Sequence, residues 1–308
     1  MEITPFIFAI SAGVTAAFQG LFYKMGGEKG NRPDAFLSAF TASAMIIPLI
    51  LMFGTQPTWG RWELWALGGV MGLLVYLSIL CLIAGNKRGP ASIGWSFVSL
   101  SLLVAVVQSA VFLPDKPFFL FGVDGVTLTL FAVMLFVMQR GMAREAEGTN
   151  RTVPWVFWLL MAGIIFTNGS YLFGLKVKEV IFGNENTFAL AILYPGFGGL
   201  IALIVHLIKQ KATKSSAPLW TFRELWTGLL AGLCAGTGNI CMLKSMALPP
   251  VVSFPIMQGM GLVGGIFIMA LVYKERFNRE KMISVFLAVI VLLVAIFRTQ
   301  LQRMLLGG

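Results

Sequence analysis

Polar side chains interrupt the long apolar stretches of this 308-residue chain, and these side chains could bind a small molecule. Amides and hydroxyls exchange hydrogen bonds, and tyrosine and tryptophan rings add flat apolar faces. A polar side chain in lipid costs free energy unless it faces protein or a water-filled cavity. The candidate substrate-binding residues are Gln19, Tyr76, Trp95, Ser96, Ser99, Asn168, Tyr171, Thr237, Asn239 and Gln258.

Gln19 and Asn168 form the strongest candidate pair, because both are amides and each is followed by glycine. The alternative is a hydrogen bond between two helices, which a small neighbouring residue permits. Thr237 and Asn239 belong to the segment GTGN, for which close helix packing is an equally good explanation.

The groups that acid–base or metal chemistry requires are absent from the middle of the apolar stretches. The predicted bounds place Asp124 about seven residues into the fifth stretch, and His206, the only histidine, lies at the end of the seventh. A carboxylate at mid-membrane depth costs about 2.5–3.5 kcal/mol and is normally kept only for a function. We therefore expect no metal, no cofactor and no catalytic residue, and a neutral or zwitterionic solute.

Ten apolar stretches must position these side chains. Most are about 20 residues long, the length that crosses a hydrocarbon core of about 30 Å as a helix. Backbone groups in lipid must pair internally, so such spans are helices. The sequence predicts an all-α integral membrane protein with ten transmembrane helices. They are expected at 4–23, 35–53, 64–84, 91–113, 118–138, 155–173, 186–208, 225–247, 250–273 and 282–298.

The charges are distributed unequally between the two sides of such a bundle. Of the 23 lysines and arginines, 16 fall in the loops of one side and 7 on the other. The positive-inside rule therefore places both termini outside the cytoplasm. The net charge of +10 reflects these loops, so we expect no nucleic-acid partner.

The two halves of the chain resemble each other, which predicts two five-helix repeats at residues 1–150 and 151–308. At an offset of 160 residues, Gly72 matches Gly232 and Cys81 matches Cys241. The first and sixth stretches align at an offset of 149, which pairs the two amides. A repeat with an odd number of spans must face the opposite way in its second copy. Inverted repeats of this kind build many secondary transporters.

The same features make the chain resemble the drug/metabolite transporter superfamily. They are the five-plus-five arrangement, the proline-initiated segments KRGPASIGW and ALPPVVSFP, and YKERF after the ninth span. The resemblance implies alternating-access transport of small organic solutes through a cavity lined by spans 1, 3, 4, 6, 8 and 9. The charge pattern is more similar to the sugar-uptake branches, including the L-rhamnose–proton symporters. Cation exporters of the small multidrug type carry a carboxylate on the first span, where this chain has Gln19.

Three functions are compatible with such a chain: a transporter, an integral-membrane enzyme, and a non-transporting scaffold. The sequence favours a secondary-active or facilitative transporter for a sugar, an amino acid or a similar metabolite. An enzyme would need clustered acid, base or metal groups. The expected partners are the solute and the lipid bilayer. The sequence leaves open whether a proton or a sodium ion is coupled to transport, and whether the protein is a monomer or a homodimer. The expected location is a cell membrane, taken to be the bacterial cytoplasmic membrane.

Overall fold

The computed structural model describes residues 4–26, 32–55, 59–86, 88, 91–113, 122–146, 154–183, 185–213, 218–273 and 279–305. Their regular structure is entirely helical, without a strand in the described ranges. The helices are α1 (Thr4–Gly26), α2 (Pro33–Ala44), α3 (Ile46–Met52), α4 (Trp62–Asn86), α5 (Ala91–Phe112), α6 (Val123–Ala146), α7 (Trp155–Phe182), α8 (Thr187–Ala212), α9 (Phe222–Ser245), α10 (Pro250–Tyr273), α11 (Arg279–Ile296) and α12 (Arg298–Leu305).

Several of these helices are suited to cross a membrane. Within the described residues, 6 helical segments are long and apolar enough, or 7 if α11 and α12 count as one bent span. Large apolar side chains also point away from the bundle; Phe166, Val107 and Phe286 are each about two-thirds exposed. Such a surface suits lipid and not water. The prediction of an all-α, multi-pass membrane protein is confirmed.

Exposed tryptophans lie near the beginnings of three helices. Trp62 begins α4, and Trp155 begins α7; their side chains are 73% and 70% exposed. Trp226 lies in the second turn of α9 and is also exposed. Indole rings collect at membrane–water interfaces because one edge is apolar and the other donates a hydrogen bond. These positions fit helices that run from one interface to the other.

The second predicted span is broken into α2 and α3 at Met45. Pro48 explains the break, because proline cannot donate a hydrogen bond to the residue four positions earlier and its ring crowds that carbonyl. That residue is Ala44, the last residue of α2. The two pieces together still form one apolar segment, Pro33–Met52.

Local sequence signals set other helix ends. Gly183 ends α7 by adopting a φ of 56°, and its N–H bonds the carbonyl oxygen of Glu179. Thr221 begins α9 through a capping box: its side chain accepts a hydrogen bond from the Glu224 N–H, and the Glu224 carboxylate accepts one from the Thr221 N–H.

Two predicted boundaries differ from the structure. Asp124 is the second residue of α6 and does not lie seven residues inside a span. The tenth predicted span ends early, because the chain bends by 74° between α11 and α12. Parts of the motifs quoted above, including Pro90, Glu275 and Arg276, lie outside the described residues.

Helices of the first half pack mainly against helices of the second half. Helix α1 lies against α9 and α10, and α4 and α5 lie against α7. Helix α2 packs on α8 and α9, and α4 also packs on α8. Helix α6 pairs with α11. The main buried core therefore joins both halves of the chain, and it contains Tyr171 and Tyr194.

Candidate functional site

Two buried tyrosines on neighbouring helices form the first part of the candidate site. The Tyr171 hydroxyl on α7 donates to the Tyr194 hydroxyl on α8 at 3.2 Å. Their rings lie 5.4 Å apart at 57°. Tyr171 is 7% exposed and Tyr194 is 2% exposed. A buried phenol needs a hydrogen-bond partner, and here each supplies the other.

Gln19 and Tyr23 on α1 form the second part. The Gln19 amide nitrogen donates to the Tyr23 hydroxyl at 2.8 Å, one helical turn away. Tyr23 lies within electrostatic range of Tyr171 and Tyr194, so the two parts are near each other. We call Gln19, Tyr23, Tyr171 and Tyr194 the tyrosine cluster. Its members lie on α1, α7 and α8.

Tyr76 on α4 lies beside this cluster. Its side chain is buried in the same group of apolar residues as Phe36 and Phe40 of α2. The Tyr23 ring packs against both, with centroid distances of 5.8 Å to Phe36 and 5.3 Å to Phe40. Aromatic rings of α2 therefore pack against Tyr23 of the tyrosine cluster, and Tyr76 of α4 belongs to the same apolar group.

Asn168 has a different role from Gln19. Its amide nitrogen donates to the Ser101 hydroxyl at 2.6 Å and contacts the Val98 carbonyl oxygen at 3.4 Å, which joins α7 to α5. Gly169 allows this close approach, because a Cβ added there would meet the Ser101 carbonyl oxygen at 2.6 Å. Asn168 thus makes the interhelical bond that was the alternative explanation, one turn from Tyr171. Ser99 is buried on the same helix, α5.

The remaining candidates are not brought into the tyrosine cluster by any contact in the described part of the chain. Thr237 is exposed, and its hydroxyl bonds the Leu233 carbonyl oxygen of its own helix. Asn239 is half-buried and, at 100° per residue, faces nearly the opposite way from Thr237. Gln258 on α10 is half-buried. The side chains of Trp95 and Ser96 lie outside the described residues.

Sequence reasoning missed Tyr23 and Tyr194. One signal was available, because the chain has 26 phenylalanines but only 5 tyrosines. Four of those five lie in or beside the tyrosine cluster. Phenylalanine would fill the same space without a hydroxyl that must be satisfied, so tyrosine in a lipid-embedded helix indicates a hydrogen-bonding role.

Carboxylates within the described helices lie near helix ends. Asp124 is paired with Arg298, whose Nη2 donates to Oδ2 at 2.7 Å. Glu224 lies in the first turn of α9 and pairs with Arg32. The described side chains include no group of three or more metal-ligating residues. The tyrosine cluster therefore offers neutral hydrogen-bond donors, acceptors and aromatic faces, which suit a polar ligand.

No protein-family model matches the chain, and no curated protein matches it. A crystal structure of a protein is similar in fold, with a TM-score of 0.71 and 15% sequence identity. The similarity covers 95% of this chain and 98% of that chain. At this identity it shows the fold alone, which is shared along almost the full length of both chains.

Proposed function

We propose that this protein is a secondary-active or facilitative transporter for a small neutral or zwitterionic organic solute. In this proposal ten membrane spans, with α2 and α3 forming one of them, make two inverted five-helix repeats at residues 1–150 and 151–308. The tyrosine cluster binds the solute, and the repeats rock to expose it to each side in turn.

The packing of the helices supports the inverted repeat and is the observation that carries the proposal. The proposed counterparts are α1 and α7, α2 and α8, α4 and α9, α5 and α10, and α6 and α11. Exchanging each helix for its counterpart turns the contact of α1 with α9 into the contact of α7 with α4, and the contact of α1 with α10 into that of α7 with α5. In the same way the contact of α2 with α9 becomes that of α8 with α4. The contacts of α2 with α8 and of α6 with α11 are unchanged by the exchange. A two-fold relation between the halves accounts for these contacts.

Gly72 gives this relation atomic detail. It lies where α4 comes closest to α8. A Cβ added to Gly72 would meet the Tyr194 carbonyl oxygen at 2.6 Å, the Phe197 Cβ at 2.7 Å and the Gly198 nitrogen at 2.9 Å. Any side chain here would push the two helices apart.

Gly232, which the sequence alignment pairs with Gly72, has the same surroundings. A Cβ added there would meet the Phe40 carbonyl oxygen, the Ser43 side chain and the Ala44 nitrogen of α2. Both glycines thus face a carbonyl oxygen, a side chain three residues later and a backbone nitrogen four residues later. Two unrelated helix contacts would not be expected to match atom for atom.

The packing relates α1 to α7, the first helices of the two halves, by a different number of residues from the sequence alignment. Gly13 of α1 faces the Met257 carbonyl oxygen, and Gly169 of α7 faces that of Ser101. These glycines are 156 residues apart, whereas the alignment that pairs the two amides uses 149. The packing therefore favours a two-fold relation in which Gln19 and Asn168 are not counterparts.

The chemistry of the tyrosine cluster supports the solute class. Transport requires that a solute bind and also leave, so a dissociation constant between micromolar and millimolar suffices, which is about −8 to −4 kcal/mol. Hydrogen bonds at about 1 kcal/mol each, together with aromatic contact, reach this range. A cationic solute is disfavoured, because none of the four residues of the tyrosine cluster carries a carboxylate that could act as its counter-charge.

Ligand screening followed by transport would test the proposal. Purified protein is screened by thermal shift against sugars, amino acids and nucleosides, with quaternary ammonium compounds as the charged comparison. A stabilising solute is then measured for uptake into proteoliposomes. We expect Tyr171→Phe to weaken binding and uptake, while Thr237→Val, which removes a hydroxyl bonded within its own helix, leaves both unchanged.

The outcome against the proposal is equally specific. If no solute is moved across the bilayer, the transporter assignment fails. If a solute is moved but Tyr171→Phe and Thr237→Val behave alike, the tyrosine cluster is not its binding site. Export of quaternary ammonium compounds would overturn the neutral or zwitterionic class.

A further inference from the structure

A cavity of about 470 Å³ lies at the basic face, outside the tyrosine cluster. The basic face is the end of the bundle formed by the loops that carry 16 of the lysines and arginines. The first turn of α2 and the last turns of α4 and α8 border the cavity. Arg32, Asp34, Arg88 and Lys209 contribute charges to its wall.

The charges of the wall leave an excess of positive charge. Three cationic side chains face one carboxylate in the lining. Asp34 accepts a hydrogen bond from the Lys209 ammonium at 2.6 Å, and the Lys209 side chain remains 58% exposed. Arg32 forms a salt bridge with Glu224, so the excess of one positive charge comes from Arg88 and Lys209 against Asp34. The cavity is therefore attractive to an anion.

Unused donors in the cavity wall are available to a ligand. Arg88 is exposed, and one of its N–H groups bonds the Ala84 carbonyl oxygen at 3.0 Å. A guanidinium has five N–H groups, so most remain for a ligand. The Lys209 ammonium has three, of which Asp34 takes one.

The helix ends that point at the cavity do not cancel this charge. The carboxyl ends of α4 and α8 would repel an anion if their carbonyl groups were bare. Arg88 bonds such a carbonyl on α4. The Thr213 hydroxyl donates to the Lys209 carbonyl oxygen at 2.9 Å, so a carbonyl group at the end of α8 is also hydrogen-bonded.

We propose that this cavity binds a phosphate group, with Arg88 and Lys209 as its donors. Phosphate has several oxygen acceptors that can bridge two cations, and guanidinium matches it with paired hydrogen bonds. Leu80 and Ile83 supply an apolar wall on the same cavity. The phosphate belongs either to the headgroup of a membrane lipid, whose chains would lie along that wall, or to a soluble molecule. The site does not depend on the transport proposal.

Melting temperatures in an uncharged detergent test this site. Inorganic phosphate is compared with chloride at equal ionic strength, and dihexanoyl phosphatidic acid with dihexanoylglycerol, which has the same chains without phosphate. Both phosphate probes should raise the melting temperature of the wild type. Arg88→Gln should raise the half-saturating concentration about tenfold, the usual loss for one charge-assisted hydrogen bond. Lys209→Gln is the second variant.

Lys211→Gln is the matched control, because Lys211 lies on the last turn of α8 but does not line the cavity. It removes the same charge from the same end of the bundle and should leave the half-saturating concentration unchanged. Tighter binding of phosphatidic acid than of inorganic phosphate assigns the site to a lipid, and equal binding assigns it to a soluble phosphate. Equal effects of phosphate and chloride, or of Arg88→Gln and Lys211→Gln, would overturn the proposal.

Discussion

The hydrogen bond between Tyr171 and Tyr194 predicts a specific pattern of stability in a double-mutant cycle. Hydrogen bonds between membrane helices contribute about 0.6 kcal/mol on average and up to about 1.7 kcal/mol. This bond should lie toward the upper end, because both side chains are at least nine-tenths buried. Each Tyr→Phe variant removes one hydroxyl and leaves the other buried with a lost partner, which costs about 1–2 kcal/mol.

The double variant Tyr171→Phe/Tyr194→Phe should then lose little more free energy of unfolding than either single variant. Both hydroxyls are gone in the double variant, so neither is left buried without its partner. The coupling energy is expected at about 1–1.5 kcal/mol. Unfolding in mixed micelles of detergent and dodecyl sulfate, followed by circular dichroism, gives the four free energies. Ring packing is retained by phenylalanine, so the cycle isolates the hydroxyls. Strictly additive losses would refute the contact between the two hydroxyls and remove the basis for the tyrosine cluster.

Three further predictions concern packing, charge and orientation. Gly72→Ala should destabilise the protein by about 1–3 kcal/mol. Gly69→Ala on the same helix should be neutral or stabilising, because nothing lies within 4 Å of the added Cβ. Equal melting temperatures of the two variants would contradict the packing of α4 on α8. Asp124→Leu should cost about 3–5 kcal/mol by stranding Arg298, and Asp124→Leu/Arg298→Met should recover most of it. A fluorescent reporter that matures only in the cytoplasm, fused after Gly308, should stay dark; a bright fusion would reverse the orientation taken from the charge count.

The helices could be predicted from the sequence because lipid leaves the backbone few choices. Every predicted apolar stretch coincides with one or two of the described helices. The ends were predicted less well, since they depend on local contacts that hydropathy does not contain. Asp124 looked internal because apolar residues precede it, but its pairing with Arg298 holds it at a helix terminus. The bend after α11 depends likewise on α12 and its contact with α6.

The candidate site could be predicted only in part, and for a physical reason. Gln19 and Tyr171 were found because polar groups stand out in an apolar helix. Tyr23 was overlooked although it lies four residues after Gln19, which places it on the same helix face. Tyr194 was likewise overlooked, although it lies next to Pro195 inside α8. Which polar groups meet depends on how α1, α7 and α8 pack, and nothing in a single sequence fixes that arrangement.

The separation of charge from the centre of the bundle gives the strongest constraint on what the tyrosine cluster can bind. Buried charge is costly unless it is paired, and this chain pairs Asp124 and Glu224 with arginines at helix ends. Two further buried charges, Lys176 and Lys178, lie toward the end of α7, where their ammonium groups donate to carbonyl oxygens. The tyrosine cluster instead holds an amide and phenols that already bond one another. A solute must replace those bonds to enter, so its own hydroxyl or amine groups need to match them in number and direction. Molecules without such groups would leave buried donors unpaired, at about 1–3 kcal/mol each, and would be rejected.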